Sequence, residues 1–170
     1  MSPPKRKPRA VGKRRRAREM AVQMLYQLEL GQSPIDQILA AFDPEDFHAE
    51  AEEADGSPPA KPRGTTAEAL RYAEKLVRGT RERGDEVDAL IREHAENWRL
   101  ERMPTIDRNI LRLALYEMLY EDNVPNVVIV DEAIELAKRF GSENSSRFVN
   151  GLLDGVLKSR ALERGAVEGS

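Results

Sequence analysis

Five cations fall within six positions, Lys13, Arg14, Arg15, Arg16 and Arg18, and they run into an apolar periodicity that begins at Ala17. Arginines gathered at one end of a helix suit phosphate oxygens, because the planar guanidinium forks onto two oxygens at once and counterion release drives association. An acidic membrane surface is the competing ligand. The stripe beside these arginines is rich in Ala and Met and lacks Trp and Phe, which fits a helix committed to a protein core rather than to lipid. Other chemistry is sparse. The two histidines, His48 and His94, are 46 residues apart, and neither belongs to a group with metal-ligand spacing. There is no phosphate-cradling glycine motif and no nucleophile elbow. Without cysteine, disulfides, thiolate metal sites and cysteine nucleophiles are excluded. These residues predict a binding protein, not an enzyme, with no cofactor and no metal.

The charge layout supports the same reading. Over 170 residues the chain holds 27 Lys+Arg and 30 Asp+Glu, a net charge of −3. The first 18 residues carry nine cations and no acid, so the remainder is net −12. A near-neutral total thus conceals a basic start on an acidic body. No stretch approaches the 18 or more consecutive apolar residues of a membrane span, and the basic start is followed by an amphipathic segment rather than a signal-peptide core. The expectation is a soluble, cytoplasmic protein with no membrane partner.

The elements that must position these groups read as helices. Pro3, Pro4 and Pro8 among cations make residues 1–10 a disordered basic tail. Ala17, Met20, Ala21, Met24, Leu25 and Leu28 share one helical face, predicting a helix from about Val11 or Gly12 to Leu30, with Gly31 as its stop. Ser33 before Pro34 reads as an N-cap with proline at the first helical position. Residues 43–64 hold seven acids between Asp43 and Asp55 and then a Gly/Pro-rich stretch, the composition of a solvated loop. Thr65 and Glu68 have the spacing of a capping box. Val87, Leu90, Ile91, His94 and Trp98 line one side of the next helix. The helix opened by Pro104 and Thr105 is apolar over most of its circumference and should be central. The run Val127 to Val130 has the composition of a strand, but the spacing of Ile129, Val130, Ala133, Ile134, Leu136, Ala137 and Phe140 is that of a helix. A last helix presents Phe148, Val149, Leu152, Leu153 and Val156 inward and gives way to a tail at residues 163–170. The fold class expected for residues 11–162 is all-α, with about seven helices in two small bundles.

Two polar positions qualify this picture. Glu117 falls by angle on the apolar side of the central helix, so it should be buried and partnered by an arginine or by free amides at a helix start. Gly151 and Gly155 make a G-x-x-x-G that signals close helix packing.

Three stretches together resemble the NusB family of bacterial transcription antitermination factors. The first is Arg14-Arg15-Arg16-Ala17-Arg18-Glu19 running into Ala21-Val22-Gln23-Met24-Leu25-Tyr26; the second is Trp98-Arg99-Leu100-Glu101-Arg102-Met103-Pro104-Thr105-Ile106-Asp107-Arg108, continuing to Glu117. The third is Val124-Pro125, then Val130-Asp131-Glu132-Ala133-Ile134-Glu135-Leu136-Ala137-Lys138, closing with Phe148-Val149-Asn150-Gly151-Leu152-Leu153-Asp154. The resemblance spans about residues 14 to 157. It implies two three-helix subdomains and binding of the single-stranded boxA element of ribosomal RNA leaders, as a heterodimer with the ribosomal protein NusE, within the RNA polymerase antitermination complex. Carried over by position, it implies Arg14, Arg15, Arg16 and Arg18 as phosphate contacts, and Arg147 and Phe148 as further RNA contacts, the phenyl ring stacking on an unpaired base. Tyr26 and Asp107 match positions that members turn toward the ribosomal partner. The acidic stretch 43–64 is longer than the connection expected in the family. A competing reading is a helical interaction module that is chiefly a homodimer, with its RNA face masked.

Overall fold

A computed structural model of the chain describes residues 13–31, 33–42, 65–95 and 98–168. Among them run seven α-helices and one 3₁₀ turn, with no strand. In chain order these are α1 (Lys13–Gly31), α2 (Ile35–Ala41), α3 (Thr65–Glu82), α4 (Gly84–His94), the 3₁₀ turn Leu100–Arg102, α5 (Thr105–Tyr120), α6 (Asn126–Phe140) and α7 (Ser145–Glu168). The all-α expectation holds. The proposed basic tail at 1–10 and the acidic loop at 43–64 lie outside the described residues. Helix α7 continues to Glu168, past the position where the sequence suggests a tail.

Three helices open on a proline. Pro34, Pro104 and Pro125 have φ of −59°, −52° and −60° with extended ψ, and none makes a side-chain cap. Their carbonyls accept the first helical bonds, from Ile38 (3.2 Å), Arg108 (3.1 Å) and Ile129 (3.2 Å). The ring fixes φ near the required value, and the missing N–H is one that a helix start leaves unpaired anyway. Helix α2 therefore starts one residue later than expected, with Pro34 rather than Ser33 at the cap. The start at Pro125 also carries Val127 to Val130 into a helix despite their strand composition.

Helix α5 is the axis of the molecule. Ile110, Leu111, Leu113, Ala114 and Leu115 point in different directions around it and all are buried. It packs on α1 and α3 on one side and on α4, α6 and α7 on the other. The two bundles, α1–α3 and α4–α7, thus share α5, and their apolar side chains form one continuous core. Helix α1 runs antiparallel to α5, with Arg18 opposite Glu117 and Glu29 opposite Arg108 and Asn109. It runs parallel to α6, with Arg15 opposite Glu132 and Glu19 opposite Arg139.

Close approach of α3 and α5 depends on Gly79. A β-carbon there would lie 2.1 Å from Cζ of Tyr116, whose ring is stacked on Tyr120 at 5.4 Å. Overpacking of this kind costs about 1–3 kcal/mol, against a helix-propensity gain of about 1 kcal/mol for alanine. Gly79→Ala is therefore expected to lower unfolding stability in urea by a net of up to about 2 kcal/mol. Adding Tyr116→Leu should return part of that loss; a Gly79→Ala protein as stable as the wild type would show that the ring yields freely.

The sequence misplaces Trp98. Helix α4 ends at His94, and Trp98 lies beyond it with 55% of its surface exposed instead of continuing the apolar face. His94 does sit at the core edge: its Nδ1 donates to the Leu90 carbonyl (3.0 Å), and its ring lies against Gly155. Of the two spaced glycines, only Gly155 marks close packing; Gly151 faces open space.

Candidate nucleic-acid interface

The arginines at the start of α1 separate into an outer and an inner set. Arg14 and Arg15 are exposed and Arg16 is half-buried. The guanidinium of Arg14 lies over the Tyr72 ring, 5.7 Å from its centroid. Arg15 donates from Nε and Nη2 to the two carboxylate oxygens of Glu132, each at 3.0 Å. That hydrogen bond is the main reason its pKa is raised above the ordinary arginine value.

Arg18 points the other way. It is 3% exposed and donates from Nε and Nη2 to the Glu117 carboxylate at 2.7 and 2.8 Å. Burial pulls its pKa down, but the bonds and charge of Glu117 more than offset that, so the net shift is upward. Helical geometry explains the split: Arg18 shares its face with the buried Ala21 and Leu25, whereas Arg15 stands on the edge toward α6. The expectation for Glu117 is met, and its arginine partner is one that the resemblance assigns to phosphate. A guanidinium whose fork is filled by a carboxylate inside the core presents no face to RNA, so the structure speaks against Arg18 in that role. Glu19, next along α1, accepts from Arg139 Nη1 at 2.9 Å. Burial raises its pKa, with Arg139 and Arg16 opposing the shift.

The remaining candidates gather at the other end of α6. Gly141 ends that helix, and a β-carbon there would fall 2.5 Å from the Ser145 side chain. The Ser145 hydroxyl accepts the Ser142 N–H at 2.9 Å, closing the turn into α7. This places Arg147 on the surface and the half-buried Phe148 beside the Trp98 ring, with centroids 6.4 Å apart and planes tilted by 54°. Arg108 donates to the carbonyls of Leu100 (3.2 Å) and Met103 (2.9 Å), tying the 3₁₀ turn to α5.

Between these elements lies a cleft of about 410 Å³ whose lining includes Trp98, Asp107, Asn144, Arg147 and Phe148. Asp107, in the first turn of α5, is 4% exposed. Tyr26 is half-buried on α1, about three turns beyond Arg15 on the same face, and so stands toward this end of the molecule. The sequence-derived residues therefore form two groups rather than one: Arg14 to Arg16 beside the middle of α6, where Arg15 meets Glu132, and Asp107, Arg147 and Phe148 beyond its end. Trp98 was missed because its spacing from His94 continues the α4 periodicity, and only the chain's exit from the helix turns it outward.

The model of the NusB family matches residues 15–158. The chain belongs to the NusB family. The match covers both groups of residues except Arg14, and takes in all or most of every helix. Among curated relatives, the transcription antitermination protein NusB of Myxococcus xanthus is 44% identical over 146 residues, covering 86% of this chain and 95% of that protein. The NusB of Symbiobacterium thermophilum is 41% identical, covering 91% and 95%. Among solved structures, Thermotoga maritima NusB superposes with a TM-score of 0.67 at 37% identity, covering 85% of this chain and 90% of that one. A chain in a crystal structure of the antitermination factors NusB and NusE with double-stranded RNA superposes with a TM-score of 0.65 at 25% identity, covering 86% and 97%. As a member of the NusB family the chain shares its all-helical fold. No helix among the described residues is long and apolar enough to cross a membrane.

Proposed function

We propose that this protein is a transcription antitermination factor that binds boxA-type single-stranded leader RNA of ribosomal RNA operons together with the ribosomal protein NusE, and so promotes processive elongation. The observation that carries the reading is the set of exposed arginine side chains at the start of α1 in a chain whose relatives are antitermination proteins, one of them solved with NusE and RNA. Arg14, Arg15 and Arg16 supply phosphate contacts, and Phe148 with Arg147 supplies a stacking surface and a cation at the far end of α6. A strand contacting both groups lies along α6, where the eight helical steps from Glu132 to Phe140 span about 12 Å. Tyr26, on the same side of α1 as the second group, faces the ribosomal partner. The acidic body, net −12 outside the first 18 residues, limits indiscriminate RNA binding and attracts a basic partner.

The function is binding and positioning; no bond is made or broken. The direct test is RNA binding by the full chain with boxA and with a scrambled sequence, each with and without NusE. Selective binding of boxA, tightened by NusE, is expected. Equal affinity for both RNAs in the presence of NusE would overturn the boxA reading, and a homodimer that excludes both ligands in light scattering would favour the interaction-module reading instead.

A further inference from the structure

The outer face of α3 carries a row of cations that the RNA contacts described above leave unused. Arg71, Lys75 and Arg78 stand at i, i+4 and i+7, so they fall on successive turns of one helix face. All three are exposed, and the opposite face holds the buried Ala69, Ala73, Leu76, Val77 and Thr80. Glu68 and Glu82 occupy the same outer face one turn before and one turn after, so the row is bounded at both ends. From Arg71 to Arg78 the helix rises about 10.5 Å. Each cation is held lightly. Arg71 donates to the Ala67 carbonyl of its own helix at 3.5 Å. Lys75 Nζ lies 3.1 Å from Glu121, and Arg78 Nη2 lies 2.7 Å from Asp36. Such partly exposed pairs contribute about 0–1 kcal/mol, so an incoming phosphate can displace the carboxylates. The row is also continuous with the start of α1: the Arg14 guanidinium lies over the ring of Tyr72, which follows Arg71 and stands one turn before Lys75.

We propose that Arg71, Lys75 and Arg78 form a track for the phosphate backbone of RNA that flanks the boxA element, entered past Arg14. The proposal rests on the RNA-binding reading above and adds to it a surface on a different helix from α6. The charges select a polyanion as the occupant. A basic ribosomal protein would meet like charge here. An interfacial membrane helix needs apolar side chains to insert, and among the described residues none of the exposed large apolar side chains lies on α3. Phosphates are alike along a strand, so contacts of this kind position RNA without reading its sequence. The track therefore responds to the length of the RNA and not to its bases.

The full chain, with NusE present, would be titrated with dye-labelled boxA RNA and with the same RNA extended at either end by an oligouridine or oligocytidine tail long enough to span α3, following anisotropy over a range of salt. One of the two extensions is expected to bind roughly tenfold more tightly than boxA alone at low salt, whichever base is added, and to steepen the dependence of log affinity on log salt by about two units, at about 0.7 for each phosphate contacted. Arg71→Ala, Lys75→Ala and Arg78→Ala together should erase that gain and leave the affinity for unextended boxA and the melting profile as in the wild type, because alanine suits exposed helix positions. Changing Arg92, Arg99 and Arg102 to alanine, all exposed on or just after α4, removes the same charge elsewhere and should keep the gain. The length comparison on the wild-type protein stands even if a variant misfolds. No gain from either extension, a gain that depends on the added base, or a gain that survives in the α3 variant overturns the track and leaves boxA binding intact. Loss of the gain in both variants traces it to net charge, and loss of NusE association in the α3 variant assigns the row to the protein partner; either result overturns the track as well. No anisotropy change with any RNA overturns both readings.

Discussion

Replacing Glu117 with alanine is expected to destabilise the protein by about 3–5 kcal/mol, a large share of the roughly 5–15 kcal/mol that holds a domain of this kind together. The loss comes from what is left behind. Arg18 is buried against α5 and stays charged, and without Glu117 its Nε and Nη2 lose the acceptors that now lie at 2.7 and 2.8 Å. The neighbouring Tyr72 hydroxyl, itself buried with no partner among the described residues, offers no replacement charge; burial, reinforced by Glu117, raises its own pKa. Equilibrium urea unfolding followed by circular dichroism measures the effect. The double variant Arg18→Met with Glu117→Leu should recover most of the lost stability, because removing both charges removes the desolvation cost along with the attraction. If Glu117→Ala alone unfolds at the wild-type midpoint, water reaches Arg18 and the pair is not a core element.

The second large effect concerns RNA. Changing Arg14, Arg15 and Arg16 together to alanine should flatten the dependence of log affinity on log salt by about two units, at about 0.7 for each phosphate of a single strand that is no longer neutralised. The fold should survive, since Arg15 and Glu132 form a partly exposed pair, and such pairs contribute about 0–1 kcal/mol. That same pair predicts an opposite change. Glu132 occupies the fork of Arg15 in the free protein, so Glu132→Gln should tighten RNA binding by up to about fivefold at low salt. Affinity and salt slope that stay constant across both variants would remove the start of α1 from the interface. Arg18→Met serves as a contrast: it should damage stability rather than the salt slope.

Much of the scaffold was legible in the chain because helical periodicity is a local property. The stripe from Ala17 to Leu28, the all-round apolar character of α5 and the face from Ile129 to Ala137 each follow from residues within a few turns of one another. Glu117 was legible for the same reason, as a polar group at an apolar angle. The misreadings occur where local pattern continues but the backbone does not. Trp98 keeps step with Val87, Ile91 and His94, yet the helix has already ended, and Arg108 from a different element holds the following turn. Gly151 keeps step with Gly155 but meets no neighbouring helix.

The sequence by itself determined the helix count, the central element, the need to pair Glu117 and the concentration of cations at the start of α1, all of which depend on residue type and short-range spacing. Only the tertiary structure decided which of those cations faces outward. Arg14, Arg15, Arg16 and Arg18 are nearly equivalent as residues, but a helix turns each by about 100° from the last, and the approach of α5 on one side and α6 on the other gives Arg18 a fully buried carboxylate and Arg15 a half-buried one at the surface. It also decided that Asp107, Trp98 and Phe148, from three separate segments, share one cleft. Such convergence depends on how far-apart segments pack, and no local periodicity encodes it.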